Sequence, residues 1–262
     1  MSDREATQRV ALVTGGSRRI GAAIAEALAQ RGHAVVVHSS ARSASDAGCL
    51  VQRLSKNGVR AASVVADLAD AVSTPSLIGE ATEHFGPVDI LVNSASIFEA
   101  DTIGTLDAAM FDRHAAVNLR APLILARAFA KQADAAFDPV IVNLLDQRVF
   151  APNPHYLSYT LSKAGLAAAT TILAQALAPT IRVNAVAPGP VLPNANDGDA
   201  RFEAEAANVP LARAVSLTAI SDAVLYLVAA RNVTGQTIAV DSGQRLAWRT
   251  PDVLASLGEA GD

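Results

Sequence analysis

The chain has 262 residues, 51% of them hydrophobic and 18% charged, with a formal net charge of −4. That length and apolar content suit one large α/β domain with a substantial core, and a slightly acidic chain without a dense Lys/Arg cluster argues against nucleic-acid binding. The lone cysteine, Cys49, excludes an intrachain disulfide, no apolar run is long enough to span a bilayer, and the charged opening MSDREATQRV lacks the apolar stretch of a signal peptide, so a soluble cytoplasmic protein is expected.

In chain order, short β-branched apolar runs predict strands near Val10–Val13, Ala34–His38, Ala62–Ala66, Ile90–Val92, Val140–Leu144, Arg182–Val186 and Thr237–Val240. Alanine-rich segments of helical length separate them. The clearest helix signals are RIGAAIAEALAQRG, closed by Gly32, and YTLSKAGLAAATTILAQALAP, stopped by Pro179. This alternation predicts a single-domain, Rossmann-type doubly wound parallel sheet of about seven strands flanked by helices, spanning residues 1–262.

The first strand runs into TGGSRRIG, Thr14 to Gly21, which opens a helix. Glycines there admit a close ligand and the helix N-terminus offers free N–H groups to a pyrophosphate, which places Gly15, Ser17, Arg18, Arg19 and Ile20 at a cofactor; the turn alone is also explained by sterics at Gly15 and Gly21. The second strand ends in HSSARS with no acid to hold a ribose diol. His38, Ser39, Ser40 and the basic Arg18 suit a 2′-phosphate instead, so NADPH is expected over NADH unless these residues are a solvated strand end. Asp67, ending the third strand before Leu68, either accepts from the adenine amino group or caps the next turn. After Pro188-Gly189 the sequence PGPVLPNANDGDARFEAEAANVP, around 188–210, reads as a loop beside the site, either a lid or a surface excursion. Trp248 is read as packing locally or across a subunit interface. His84, His114 and His155 lack ligand spacing, so no metal site is expected.

With TGGSRRIG, LVNSAS, VNL and a Tyr-x-x-x-Lys in that order, the sequence resembles the short-chain dehydrogenase/reductase superfamily over essentially its whole length. The resemblance implies that Tyr159 passes a proton, that Lys163 lowers the phenol's pKa and holds the nicotinamide ribose, and that Asn118 holds a water in the proton relay. It also implies that Asn93, Ala95, Pro188 and Gly189 line the cofactor. Helical spacing puts Tyr159 and Lys163 on one face, and a nearby ammonium favours a phenolate.

Departures from the superfamily narrow the reading. Asp146 stands thirteen residues before Tyr159, where a serine is usual, and Arg19 replaces a glycine. Together Arg19, Ser96, Phe98, Asp146, Tyr159 and Lys163 resemble the pteridine reductases and the related dihydromonapterin and alternative dihydrofolate reductases. On that resemblance Phe98 is one wall for a flat ring, Arg19 lies between the cofactor phosphates and the ring's polar edge, and Ser96 hydrogen-bonds nearby. Asp146 faces the ring nitrogens; the alternatives are that Phe98 is a core aromatic and that Asp146 pairs with Arg148. NADPH-dependent reduction of a small-molecule pterin or folate by a homotetramer is expected. The rivals are a carbonyl reductase of 3-oxoacyl or other keto substrates and a non-catalytic NADP-sensing protein. In place of a threonine often found four residues after the Pro-Gly turn stands Pro193.

Overall fold

The computed structural model describes residues 8–193 and 198–247. Seven strands form one parallel sheet: β1 Val10–Thr14, β2 Ala34–Ser39, β3 Ala61–Val65, β4 Ile90–Asn93, β5 Val140–Leu144, β6 Arg182–Pro188 and β7 Thr237–Val240. The helices are α1 Arg19–Gln30, α2 Ala44–Lys56, α3 Leu77–Phe85, α4 Ala108–Ala115, α5 Ala121–Gln132, α6 Leu157–Leu177, α7 Gly198–Ala207 and α8 Leu217–Ala229. Trp248 and residues 194–197 of the 188–210 loop lie outside the described residues.

Strand alternation sends neighbouring side chains to opposite faces, and here both faces are covered. Ala11, Val13, Val35 and Val37 meet Ile24, Leu28, Leu50 and Val224 from α1, α2 and α8. Val10, Leu12, Ala34 and Val36 meet Leu77, Leu125, Phe129 and Ala174 from α3, α5 and α6. That two-sided burial is why the strands read as continuous apolar runs rather than as alternating ones.

The strand order β3-β2-β1-β4-β5-β6-β7 reverses direction between β1 and β4. In doubly wound sheets a ligand usually binds in the crevice outside the carboxyl ends of the strands at such a reversal, here β1 and β4. Two links hold the crevice floor. Thr14 Oγ1 accepts from the Ser94 and Ala95 N–H groups, at 3.0 and 3.1 Å, and Asn93 Nδ2 donates to Asn143 Oδ1 at 2.8 Å.

Candidate active site

The glycine-rich turn is packed too tightly for side chains. A Cβ on Gly15, whose φ is +60°, would stand 2.8 Å from Ala95 Cα, and one on Gly21 would stand 2.2 Å from Gly15 O. Gly189, at the end of β6, would meet Asp241 Cα at 2.6 Å in the same way. Ala95 thus packs on the glycine turn, and Gly189, after Pro188, packs on the chain just after β7.

His38 departs from its expected role. It is buried under the turn, where Nδ1 accepts from Gly15 N at 3.1 Å while Nε2 lies 3.2 Å from Ala66 O, so it ties β1, β2 and β3 together. Burial lowers its pKa, leaving a neutral imidazole with both nitrogens engaged rather than a donor for a phosphate. Ser39 is also buried, but its Oγ has no partner. With Ser40 exposed and no acid from His38 to Ser45, the end of β2 fits a 2′-phosphorylated ribose better than a diol. Arg18 extends from the turn and pairs with Asp46 at 2.9 Å, while Ser17 is buried and Ile20 packs on the core. Asp67 is exposed and caps its own turn, accepting from Ala69 N at 2.9 Å. The Leu68 side chain lies in the core, so it presents no side-chain atom to a cofactor.

Arg19 has a φ of +51°, the left-handed backbone that favours glycine, which explains why a glycine is usual there. Its Nη2 reaches across the crevice to Pro193 O at 3.0 Å and Leu192 O at 3.4 Å. One nitrogen of the guanidinium expected at a ring edge therefore also tethers the loop after β6.

The catalytic cluster depends on the start of α6. Tyr156 adopts a left-handed conformation just before the helix. Asp101, from the loop after β4, accepts from Ser158 N at 3.1 and 3.2 Å and from Ser158 Oγ at 2.5 Å, capping the helix from outside. That cap starts α6 at Leu157, two residues before the start read from sequence, and sets Tyr159 and Lys163 one turn apart inside the site.

Tyr159 Oη donates to Asp146 Oδ2 at 2.9 Å. Asp146 also accepts from Arg148 N at 2.9 Å and from Arg148 Nη1 at 3.3 and 3.2 Å. Phe98 stacks on Tyr156 with ring centroids 4.3 Å apart and planes 6° from parallel, and meets Tyr159 edge-on at 4.6 Å. The structure therefore brings Phe98, Asp146, Tyr159 and Lys163 together and adds Arg148 and Tyr156 to them. Arg148 was legible only as a partner for Asp146, and Asp101 gave no sequence signal, because a cap from a distant loop has no local spacing.

The electrostatics correct one expectation. Lys163 Nζ donates to Leu144 O at 2.7 Å and lies 5.9 Å from the Tyr159 ring centroid. Burial, then the Asp146 charge and the hydrogen bond to it, push the phenol well above its usual value, with Arg148 acting weakly the other way. Burial also brings the Lys163 ammonium down to about 8, against Asp146. Tyr159 thus stands as a protonated donor, not a phenolate.

Asn118 is buried in a π-helical segment, Ala116–Arg120, and its amide is fully engaged. Oδ1 accepts from Ile97 N at 2.8 Å and Ser96 Oγ at 3.2 Å, and Nδ2 donates to Ile97 O and Ser162 Oγ, both at 3.0 Å. A water held at Asn118 must therefore use its main chain, where a π turn displaces the usual α-helical hydrogen bond. Ser96 is exposed at the rim of the site. Asn93 keeps a buried carbonyl oxygen without a partner at the crevice floor. Among the described residues no cluster of His, Cys, Asp or Glu could hold a metal ion.

Comparison with known proteins agrees with this geometry. The short chain dehydrogenase family matches residues 9–203. A 3-oxoacyl-[acyl-carrier-protein] reductase, FabG, of Staphylococcus aureus is 34% identical over 238 residues, covering 89% of this chain and 96% of its own. A short-chain type dehydrogenase/reductase of Picea abies is 33% identical over 249 residues, covering 90% of this chain and 92% of its own. Among solved structures, FolM alternative dihydrofolate reductase 1 of Brucella canis, complexed with NADP, superposes with a TM-score of 0.89 at 46% identity over 95% of this chain and 99% of its own. Its Brucella suis counterpart, also with NADP, gives 0.90 at 46% identity over 95% of this chain and all of its own. With the parallel sheet, the glycine turn at the β1/β4 crevice and the Tyr159–Lys163 helix face in place, the chain belongs to the short-chain dehydrogenase family.

Proposed function

We propose that the chain catalyses the NADPH-dependent reduction of a C=N bond in a pteridine: a dihydropterin, dihydromonapterin or dihydrofolate. The observation that carries this reading is the Tyr159–Asp146 hydrogen bond of 2.9 Å beside the Phe98 ring. An ionised carboxylate next to a reacting ketone would oppose the developing alkoxide, whereas next to a nitrogen heterocycle it accepts N–H groups and assists proton movement. The FolM neighbours support the same reading.

When bound, NADPH supplies the hydride that reduces the ring carbon. The chain's own residues move the matching proton. Tyr159, kept protonated by burial and Asp146, gives its proton to the ring nitrogen, and Asp146 orients the hydroxyl and takes part in returning a proton to it. Lys163, whose Nζ donates to Leu144 O, holds the nicotinamide ribose, and Phe98 supplies a wall against which a flat ring stacks. Ser17, Arg18, Ser39 and Ser40 bind the phosphates. Around this site residues 1–262 act as one NADP-binding domain, and the segment expected as a 188–210 loop, which carries helix α7 at Gly198–Ala207, borders the substrate.

Exposed Phe111, Leu123, Leu161 and Ile172 on α4, α5 and α6 support a homo-oligomer, which we take to be a cytoplasmic tetramer. No described helix is long and apolar enough to cross a membrane.

The FabG relative favours a second reading, reduction of a 3-oxoacyl or other keto substrate. A third, a non-catalytic NADP sensor, has no use for the hydrogen-bonded Tyr159–Asp146 pair. Measuring NADPH consumption with dihydropterins, dihydrofolate and an activated ketone separates them. Turnover of the ketone with none of the dihydropterins rejects the pteridine reading, and NADPH binding without turnover of anything favours the sensor.

A further inference from the structure

Arg148 places a guanidinium inside the catalytic cluster, bound to Asp146. Its Nη1 spans both Asp146 oxygens at 3.2 and 3.3 Å, and only 16% of its side chain is exposed. Its carbon Cζ lies 5.4 Å from the Phe98 centroid and 5.3 Å from that of Tyr156. Being nearly equidistant from two stacked rings, it sits beside the stack and does not cover the outer faces.

Two features of this arrangement point to a ligand. Arg148 Nε is buried and has no hydrogen-bond partner, although a guanidinium has five donors and a buried donor left unpaired is costly. Asp146, an acceptor, and Arg148, a donor, stand side by side at the edge of an aromatic wall. The heterocycle edge that complements such a pair carries an N–H beside a carbonyl oxygen. Asp146 accepts four contacts already, so a ring N–H must take the place of Tyr159 Oη or of the longer Nη1 contacts. As Nη1 yields, the fork keeps its other donors for the carbonyl.

We propose that Arg148 is a specificity-determining residue that, with Asp146, reads the N–H and C=O of a cyclic amide edge, as in a 2-amino-4-oxopyrimidine ring. The inference rests on the pteridine reading and names which edge of the ring that site recognises. An analogue with a 4-amino group puts a donor where the carbonyl stood and meets the Arg148 donors unfavourably.

The test measures dissociation constants of pterin and of 2,4-diaminopteridine for the NADP⁺ complex, in wild type and in Arg148→Met. Losing a charged donor to a buried acceptor should weaken pterin roughly tenfold to a hundredfold. Binding of 2,4-diaminopteridine should stay the same or tighten, so the ratio of the two constants shifts against pterin. Arg148→Lys, which keeps the charge but loses the fork, should shift the ratio the same way by less, and it serves should the Met variant not fold. An unchanged ratio, with both compounds weakened equally or neither affected, overturns the role of Arg148 while leaving the pteridine reading intact. Wild type that binds neither compound overturns both.

Discussion

Tyr159 Oη donates a hydrogen bond to Asp146 Oδ2 across 2.9 Å at the buried start of α6. The phenol holds that proton because burial and the neighbouring carboxylate disfavour a phenolate, so the residue is poised as an acid. Tyr159→Phe removes the donor with little change in packing. Turnover on an accepted substrate should fall at least roughly a hundredfold, the usual loss for a positioned proton donor, with NADPH affinity retained. Stopped-flow or steady-state kinetics beside cofactor titration check this, and near-wild-type turnover would remove Tyr159 from the proton path.

Lys163 links the site to stability. Its folded value, about 8, lies below the ordinary 10.5, so the unfolded chain binds more protons between those values. Folding stability from this residue therefore rises with pH from about 8 upward and gives no slope below it. Tyr159, raised in the folded state, acts oppositely above pH 10, which confines the clean window to pH 8–10. Relative to Lys163→Met, wild type should gain on the order of 2 kcal/mol across that window. Urea unfolding at pH 8 and pH 10 measures the difference; parallel behaviour of the two proteins would show that folding does not lower the Lys163 pKa.

Arg19→Gly separates strain from contact. Its φ of +51° costs an arginine about 1 kcal/mol, and glycine removes that cost. The same change cuts the hydrogen bonds to Leu192 and Pro193. The variant should melt at the same temperature or a few degrees higher, yet show a raised KM for substrate as the loop after β6 loses its tether. A lower melting temperature with unchanged KM would reverse both assignments.

The fold was legible because buried parallel strands leave unbroken apolar runs, and the bounds read for β5 and β7 coincide with those observed. β6 extends to Pro188, two residues past its expected end, since a proline that donates nothing still fits where Gly189 N carries on the pairing with Val240 O. The site was less legible. Tyr159 and Lys163 follow from helical spacing, but residue type alone does not tell whether an imidazole at a strand end turns outward or, like His38, under the glycine turn. Arg148 and Asp101 act through contacts set by the path of neighbouring loops, which no local pattern encodes.

Cofactor preference follows from the end of β2. Ser40 is exposed there, Arg18 reaches the start of α2, and no carboxylate occurs from His38 to Ser45. NADPH should bind at least roughly tenfold more tightly than NADH, a charged contact each way being worth that much. Arg18 is held to Asp46 by a half-exposed ion pair of small worth, so it can turn to a phosphate, and Arg18→Ala should narrow the preference. Dissociation constants for both cofactors decide it; equal affinities in wild type would refute the assignment.

Asp146 gives the sharpest test of the reaction itself. Its carboxylate holds the Tyr159 hydroxyl and the Arg148 guanidinium, so replacing it removes the acceptor that orients the acid and leaves a buried cation without its partner. Asp146→Ala should lower kcat/KM on a dihydropterin by one to several orders of magnitude, the loss of an orienting group adding to that of ring contacts. Asp146→Ser changes the sign of the preference. A serine hydroxyl donates to a carbonyl oxygen, and without the carboxylate a developing alkoxide is no longer opposed, so activity on an activated ketone should rise relative to the dihydropterin. Measuring kcat/KM for wild type and both variants on each substrate resolves the two effects. A dihydropterin activity that survives Asp146→Ala would place proton delivery elsewhere, and a ketone preference already present in wild type would return the chain to the carbonyl reductases.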